Sequence, residues 1–183
     1  MIALPSQLPL LRVGRYEVAA YSQDWLEENI QCAAQAAGER NWLFTEDIAF
    51  SLLVHLRGHF AGSAITLEEL TGKIRALFEK IGLGEIGQCV DLVPPALSFS
   101  LDDLAREAGE GFELRFFQLL DTRIRELAAL RAPCVSLTAT RQGVKRLCAA
   151  KTWNQTCRGL ENEIMLFLQD RLPGNGGCRF ALI

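Results

Sequence analysis

The chain has 183 residues, 49% of them apolar and 22% charged, with a net charge of −3. That length supports one comfortable domain or two small ones, and the apolar fraction excludes a disordered chain. The slight negative balance gives no overall pull toward nucleic acid, and no apolar run approaches the roughly 18 residues that would span a bilayer.

The start, MIALPSQLPLLR, is interrupted by Pro5 and Pro9 and has no basic leader, which predicts a cytoplasmic, reducing setting. Six cysteines without a CxxC pair are then expected to be reduced and mostly buried as small hydrophobes. Residues Leu10 to Val18 read as two short strands joined by a turn at Gly14. Ser22 or Asp24 caps a predicted helix whose apolar face is Leu26, Ile30, Ala33, Ala34 and Ala37, with Gly38 as its stop. Thr45, followed by Glu46 and Asp47, opens a second helix with Ile48, Leu52, Leu53 and Leu56 inward.

Thr66 heads a third helix carrying Leu67, Leu70, Ile74, Leu77, Phe78 and Ile81, and Glu69 three positions on completes a capping box. A short fourth helix runs from about Gly84 to Leu92. Val93-Pro94-Pro95 then marks a boundary, because two prolines cannot continue a helix and each forces its predecessor toward extended geometry. Two lobes, 1–93 and 94–183, are expected to pack against each other.

Beyond the boundary, Ser100 with Asp102 and Asp103 caps a short helix, and residues 112 to 130 form a longer one burying Phe116, Leu119, Leu120, Ile124 and Leu127. Cys134 to Thr138 and Cys178 to Ile183 are strand candidates. Between them lie predicted helices over about Arg141–Lys151 and Gln155–Leu172, the latter burying Leu160, Ile164, Phe167 and Leu168. GNGG at 174–177 reads as a turn before the last strand.

The hairpin and helix order of residues 10 to 92 resembles the ATP-cone domain, found at the front of ribonucleotide reductases and in a repressor of their genes. In that family a Lys-Arg-Asp-Gly turn opens the domain, and an aromatic precedes a helix with an early lysine. Matching Gly14 to the family glycine places Arg12 on its arginine, Leu11 on its lysine and Val13 on its aspartate; Tyr21 falls on the aromatic and Trp25 on the helix lysine. Glu68, Leu70, Ile74 and Leu77 follow the family's late-helix ladder. The resemblance implies a purine nucleotide, ATP or dATP, with Arg12 and Arg15 on phosphate and Tyr21 or Trp25 flanking the base. One of three cationic positions is kept, and a triphosphate needs cations to offset its desolvation. Two readings therefore stand, a modified nucleotide pocket and a cone reduced to a scaffold.

The charge of the second lobe is uneven. Residues 123 to 158 hold eight cations and one acid, Glu126, a net +7. Arg141, Lys145, Arg146 and Lys151 lie together there, and Arg141, Lys145 and Arg158 near Trp153 could line one face. Such a face suits an acidic partner protein, or single-stranded nucleic acid through phosphate contact and base stacking. His55 and His59, four apart on a helix, lack the glutamate after the first histidine that the metalloprotease pattern needs. GLGEIG at 82–87 follows a helix rather than a strand, so it is not a dinucleotide loop. No nucleophile motif stands out.

The expectation is a mostly helical α+β protein, a non-catalytic regulatory or interaction module with an ATP-cone-like first lobe. The alternative is binding of nucleic acid or an acidic partner through 123–158, and an enzyme stands third. A homo-oligomer is compatible with each of these readings.

Overall fold

The computed structural model describes residues 8–19, 21–40, 42–60, 62–171 and 179–182. The chain is a mostly helical α+β protein. It divides into two compact units, Met1–Pro95 and Ala96–Ile183. Among the described residues no helix is long and apolar enough to cross a membrane.

In the first unit, β1 (Leu10–Val13) and β2 (Tyr16–Val18) form the expected antiparallel hairpin, pairing Leu11 with Val18 and Val13 with Tyr16. Gly14 turns the chain at φ 58°, a left-handed conformation that glycine adopts without steric cost. A third strand, β3 (Ala64–Thr66), runs parallel to β1 and places β1 in the centre of a mixed sheet. Leu11, Val13, Tyr16 and Ile65 are buried.

Helices α1 (Gln23–Ala36), α2 (Thr45–His59), α3 (Leu67–Lys80) and α4 (Gly84–Cys89) complete the unit. Ser22 Oγ accepts from the Trp25 amide, so the serine and not Asp24 is the cap of α1. The Thr66–Glu69 capping box is formed in both directions, at 2.9 and 3.1 Å. The core is Leu26, Ile30, Leu53, Leu56, Leu70, Ile74 and Phe78, the inward positions of three amphipathic helices. Ile81, expected inside, is exposed, because it caps the end of α3. Helix α4 stops at Cys89 rather than Leu92, where the backbone turns extended at Val90. That extended segment is held by α1 and α3. Arg75 donates twice to the Val90 carbonyl, and the Val93 amide donates to buried Asn29 at 2.7 Å.

The second unit is built as strand, two helices, strand, two helices, strand. Strands β4 (Leu97–Ser100), β5 (Cys134–Thr138) and β6 (Arg179–Leu182) are all parallel, with β5 central. Parallel strands need long crossovers. Helices α5 (Leu101–Ala108) and α6 (Glu113–Ala129) supply the first, and α7 (Thr140–Leu147) and α8 (Gln155–Arg171) the second. Register aligns Leu97 with Val135 and Phe180, and Phe99 with Leu137 and Leu182. Ser98 aligns with Ser136 and Ala181, so rows of large apolar residues alternate with rows of small ones. Leu104, Phe116, Leu120, Val144, Leu147, Leu160 and Ile164 close one cluster with Leu137. The turn expected at 174–177, and Cys178, lie outside the described residues.

Candidate anion-binding cleft on α7

Two local features set α7 against α5. Ala139, between β5 and α7, is left-handed at φ 54° and ψ 34°, which swings the chain from strand direction into the helix. One turn later Gly143 lets α7 approach α5 closely: a Cβ there would stand 2.7 Å from both the carbonyl carbon and oxygen of Leu101. Val144 and Leu147 enter the core beside it, and that rotation leaves Arg141 and Lys145, four residues apart, on the outer side.

The close approach brings Asp102 of α5 to Arg146 of α7. Arg146 Nε donates to Asp102 Oδ1 at 2.8 Å and Nη2 to Oδ2 at 3.3 Å, while Arg106 Nη2 donates to Oδ2 at 2.7 Å. The Arg146 hydrogen bonds hold the Asp102 carboxyl below the usual carboxylate range, and Asp102 in turn raises the guanidinium above its own. Arg146 is therefore a neutralised charge with a fixed orientation.

Over this fork lies an open cleft of about 400 Å³, walled by Asp102, Glu110, Gln142, Lys145, Arg146 and Lys151. Lys151 reaches it from a loop. The helix expected over 141–151 ends at Leu147 instead, because Ala149 turns left-handed at φ 48° and the amide of Ala150 closes back on the Lys145 carbonyl at 2.9 Å. Three of the four cations singled out in the sequence thus share one opening. The fourth, Arg141, lies over the ring of Trp153, 5.4 Å from its centroid, and Trp153 is half-buried against the core.

Of the window's other four cations, three are engaged. Arg123 meets Glu107 at 3.2 Å and Glu126 at 3.3 Å, and Arg125 meets Asp121 at 2.8 Å. Arg131 is also engaged. The charge without a carboxylate partner among the described residues sits on Arg141, Lys145, Lys151 and Arg158. The sequence reading placed Asp102 at a helix start and gave Glu110 and Gln142 no role, since nothing local links Asp102 to an arginine 44 positions away.

The residues placed on the nucleotide by resemblance are distributed differently. Arg12 and Arg15 are exposed beside the Gly14 turn, with Arg12 Nε donating to Glu17 at 3.0 Å and Arg15 also engaged. Tyr21 is buried, its hydroxyl donating to the Pro9 carbonyl at 3.1 Å, and burial pushes its pKa up to about 12. Trp25 Nε1 donates to the Val93 carbonyl at 2.9 Å, and its ring meets Tyr21 edge-on at 5.7 Å. Both aromatics therefore fasten α1 to neighbouring backbone. A second cleft of about 330 Å³, beside Trp42, Gly82 and Leu83, carries Glu39 and Glu85 and no cation.

Cys32, Cys89, Cys134, Cys148 and Cys157 are free thiols. Of these five, Cys157 alone is buried, and Cys32 is exposed on α1, so burial is less general than expected. Burial, together with the neighbouring Cys157, pushes the Cys148 pKa up to about 11. His55 has contacts of its own, and among the described residues no three His, Cys, Asp or Glu side chains cluster to hold a metal ion. No family model, curated protein or solved structure matches the chain.

Proposed function

We propose that the chain is a non-catalytic interaction module whose second unit binds an acidic segment of a partner protein in the α7 cleft. The observation that carries this reading is the pairing pattern. Arg146 is neutralised by Asp102, whereas Lys145 and Lys151 border the same opening with no ion pair to a described residue. A carboxylate between them gains two charge-assisted contacts, and Gln142 offers an amide donor beside them. An open, shallow cleft favours a side chain presented by a larger partner over an enclosed small molecule.

A continuous phosphate backbone needs a run of free cations, and the cleft offers two, Lys145 and Lys151. Base stacking also loses its platform, since the Trp153 ring is shared between Arg141 and the core. The resemblance of the first unit to the ATP-cone supports a nucleotide at the hairpin less well, because Tyr21 and Trp25 already bond to backbone carbonyls.

Fluorescence anisotropy with a labelled Glu/Asp-rich peptide, a labelled oligothymidylate and a labelled ATP analogue separates these ligands. The expected result is salt-sensitive binding of the peptide that disappears in Lys145→Glu/Lys151→Glu and persists in Arg12→Ala. Binding of the ATP analogue, lost in Arg12→Ala and kept in the double variant, would replace this reading with a nucleotide sensor.

A further inference from the structure

Helix α2 is apolar on two sides. Ala49, Leu52, Leu53 and Leu56 face the core, and α2 packs on α1. On the other side Phe50 and Val54 are 54% and 46% exposed, and Leu43 and Phe44, just before the helix, are 86% and 60% exposed. A surface helix ordinarily carries one apolar stripe, so the second stripe calls for an occupant.

The stripe is self-complementary. Phe50 and Val54 lie symmetrically about Leu52, and so do Asp47 and Arg57 at the stripe's two ends. Both charged residues are exposed and neither forms a salt bridge with a described residue, although the Arg57 charge is felt by the Tyr21 hydroxyl. Glu46 and Gly58 form a third symmetric pair, with open space where a Gly58 side chain would be. In a helix these positions fall on one side, because spacings of three and four residues return to the same face.

We propose that α2 is a self-association surface, on which a second copy of the chain lays its own α2 antiparallel about a two-fold axis that crosses the stripe between Phe50 and Val54. Phe50 then packs on the partner's Val54, Asp47 faces the partner's Arg57, and Glu46 fits over the partner's Gly58, each contact occurring twice. Charge complementarity selects the antiparallel orientation, since a parallel pairing would oppose Asp47 to Asp47 and Arg57 to Arg57. One helix face per copy is a small interface, which places the dimer among weak, reversible associations. The surface lies on the first unit and is independent of the α7 cleft.

Sedimentation equilibrium on the full chain, from about 1 to 500 μM, tests it at the concentrations where small interfaces associate. The wild type is expected to pass from monomer to dimer over that range. Asp47→Arg and Arg57→Asp are each expected to weaken association by about a hundredfold, because each opposes like charges twice. Mixed together, the two variants restore association, since every Arg then meets an Asp across the axis. Phe50→Asn, also on the exposed face, supplies an uncharged variant that weakens the dimer, and circular dichroism checks the fold of all three. A wild type that stays monomeric overturns the proposal, as does a dimer indifferent to both charge reversals or a mixture no tighter than its components.

Discussion

Gly143→Ala is expected to destabilise the protein although it places a better helix former in a helix. The new Cβ would stand 2.7 Å from Leu101 C and O and 2.9 Å from the Asp102 amide. An ordinary Cβ contact begins at 3.4 Å, so the α5 and α7 backbones must part by roughly 0.7 Å. Overpacking of that kind costs about 1–3 kcal/mol, and backbone atoms cannot rotate aside as a side-chain tip can. Replacing glycine within a helix returns about 1 kcal/mol, leaving a net loss of up to about 2 kcal/mol. Gly159→Ala in α8 is the control, because nothing lies within 4 Å of its missing Cβ, and it should gain about 0.5–1 kcal/mol. Urea unfolding of the full chain, followed by circular dichroism, measures both. Equal stabilisation by the two substitutions would refute the close α5–α7 contact and, with it, the positioning of Arg146 by Asp102.

Asp102→Asn should lower stability and raise affinity for an acidic peptide, since it releases Arg146 into the cleft; isothermal titration and urea unfolding read the two effects. Because the folded state lowers the Asp102 pKa, its contribution is present above the ordinary carboxylate pKa of about 4 and is lost as pH falls further. Asp102→Asn should therefore flatten the acid limb of the stability profile. At the other extreme, Tyr21 at about 12 and Cys148 at about 11 are both raised, so their stabilisation is full at neutral pH and declines from about pH 9 upward. Tyr21→Phe should remove part of that alkaline slope in a pH series of unfolding midpoints. Trp25→Phe leaves the Val93 carbonyl without its indole donor and should cost about 1–3 kcal/mol in urea unfolding, whether or not ATP is present.

Capped and stopped helices were legible because their signals are local: the Thr66–Glu69 box, Ser22, Ser100 and the Gly14 turn each depend on residues within a few positions. Strands β3 and β4 were not. Each ends on the residue that caps the next helix, Thr66 or Ser100, so the cap signal masked a strand only three or four residues long. The parallel pairing of β5 with β4 joins residues nearly forty positions apart and leaves no local trace. The cleft was half legible. Lys145, Arg146 and Lys151 stood out as a cluster, but which cation of the basic window keeps its charge depends on Asp102 and Glu107, which the fold delivers from α5. Tyr21 and Trp25 were visible as aromatics; their carbonyl partners were not, since Val93 lies 68 residues from Trp25.

The most direct measurement is a nitrogen–proton correlation spectrum of the isotopically labelled chain, titrated with the acidic peptide. Binding in the α7 cleft predicts shifts confined to Gln142, Lys145, Arg146 and the 149–151 loop, with the Gly14 hairpin unmoved. Shifts centred on Arg12, Gly14 and Arg15, or none at saturating peptide, would contradict it.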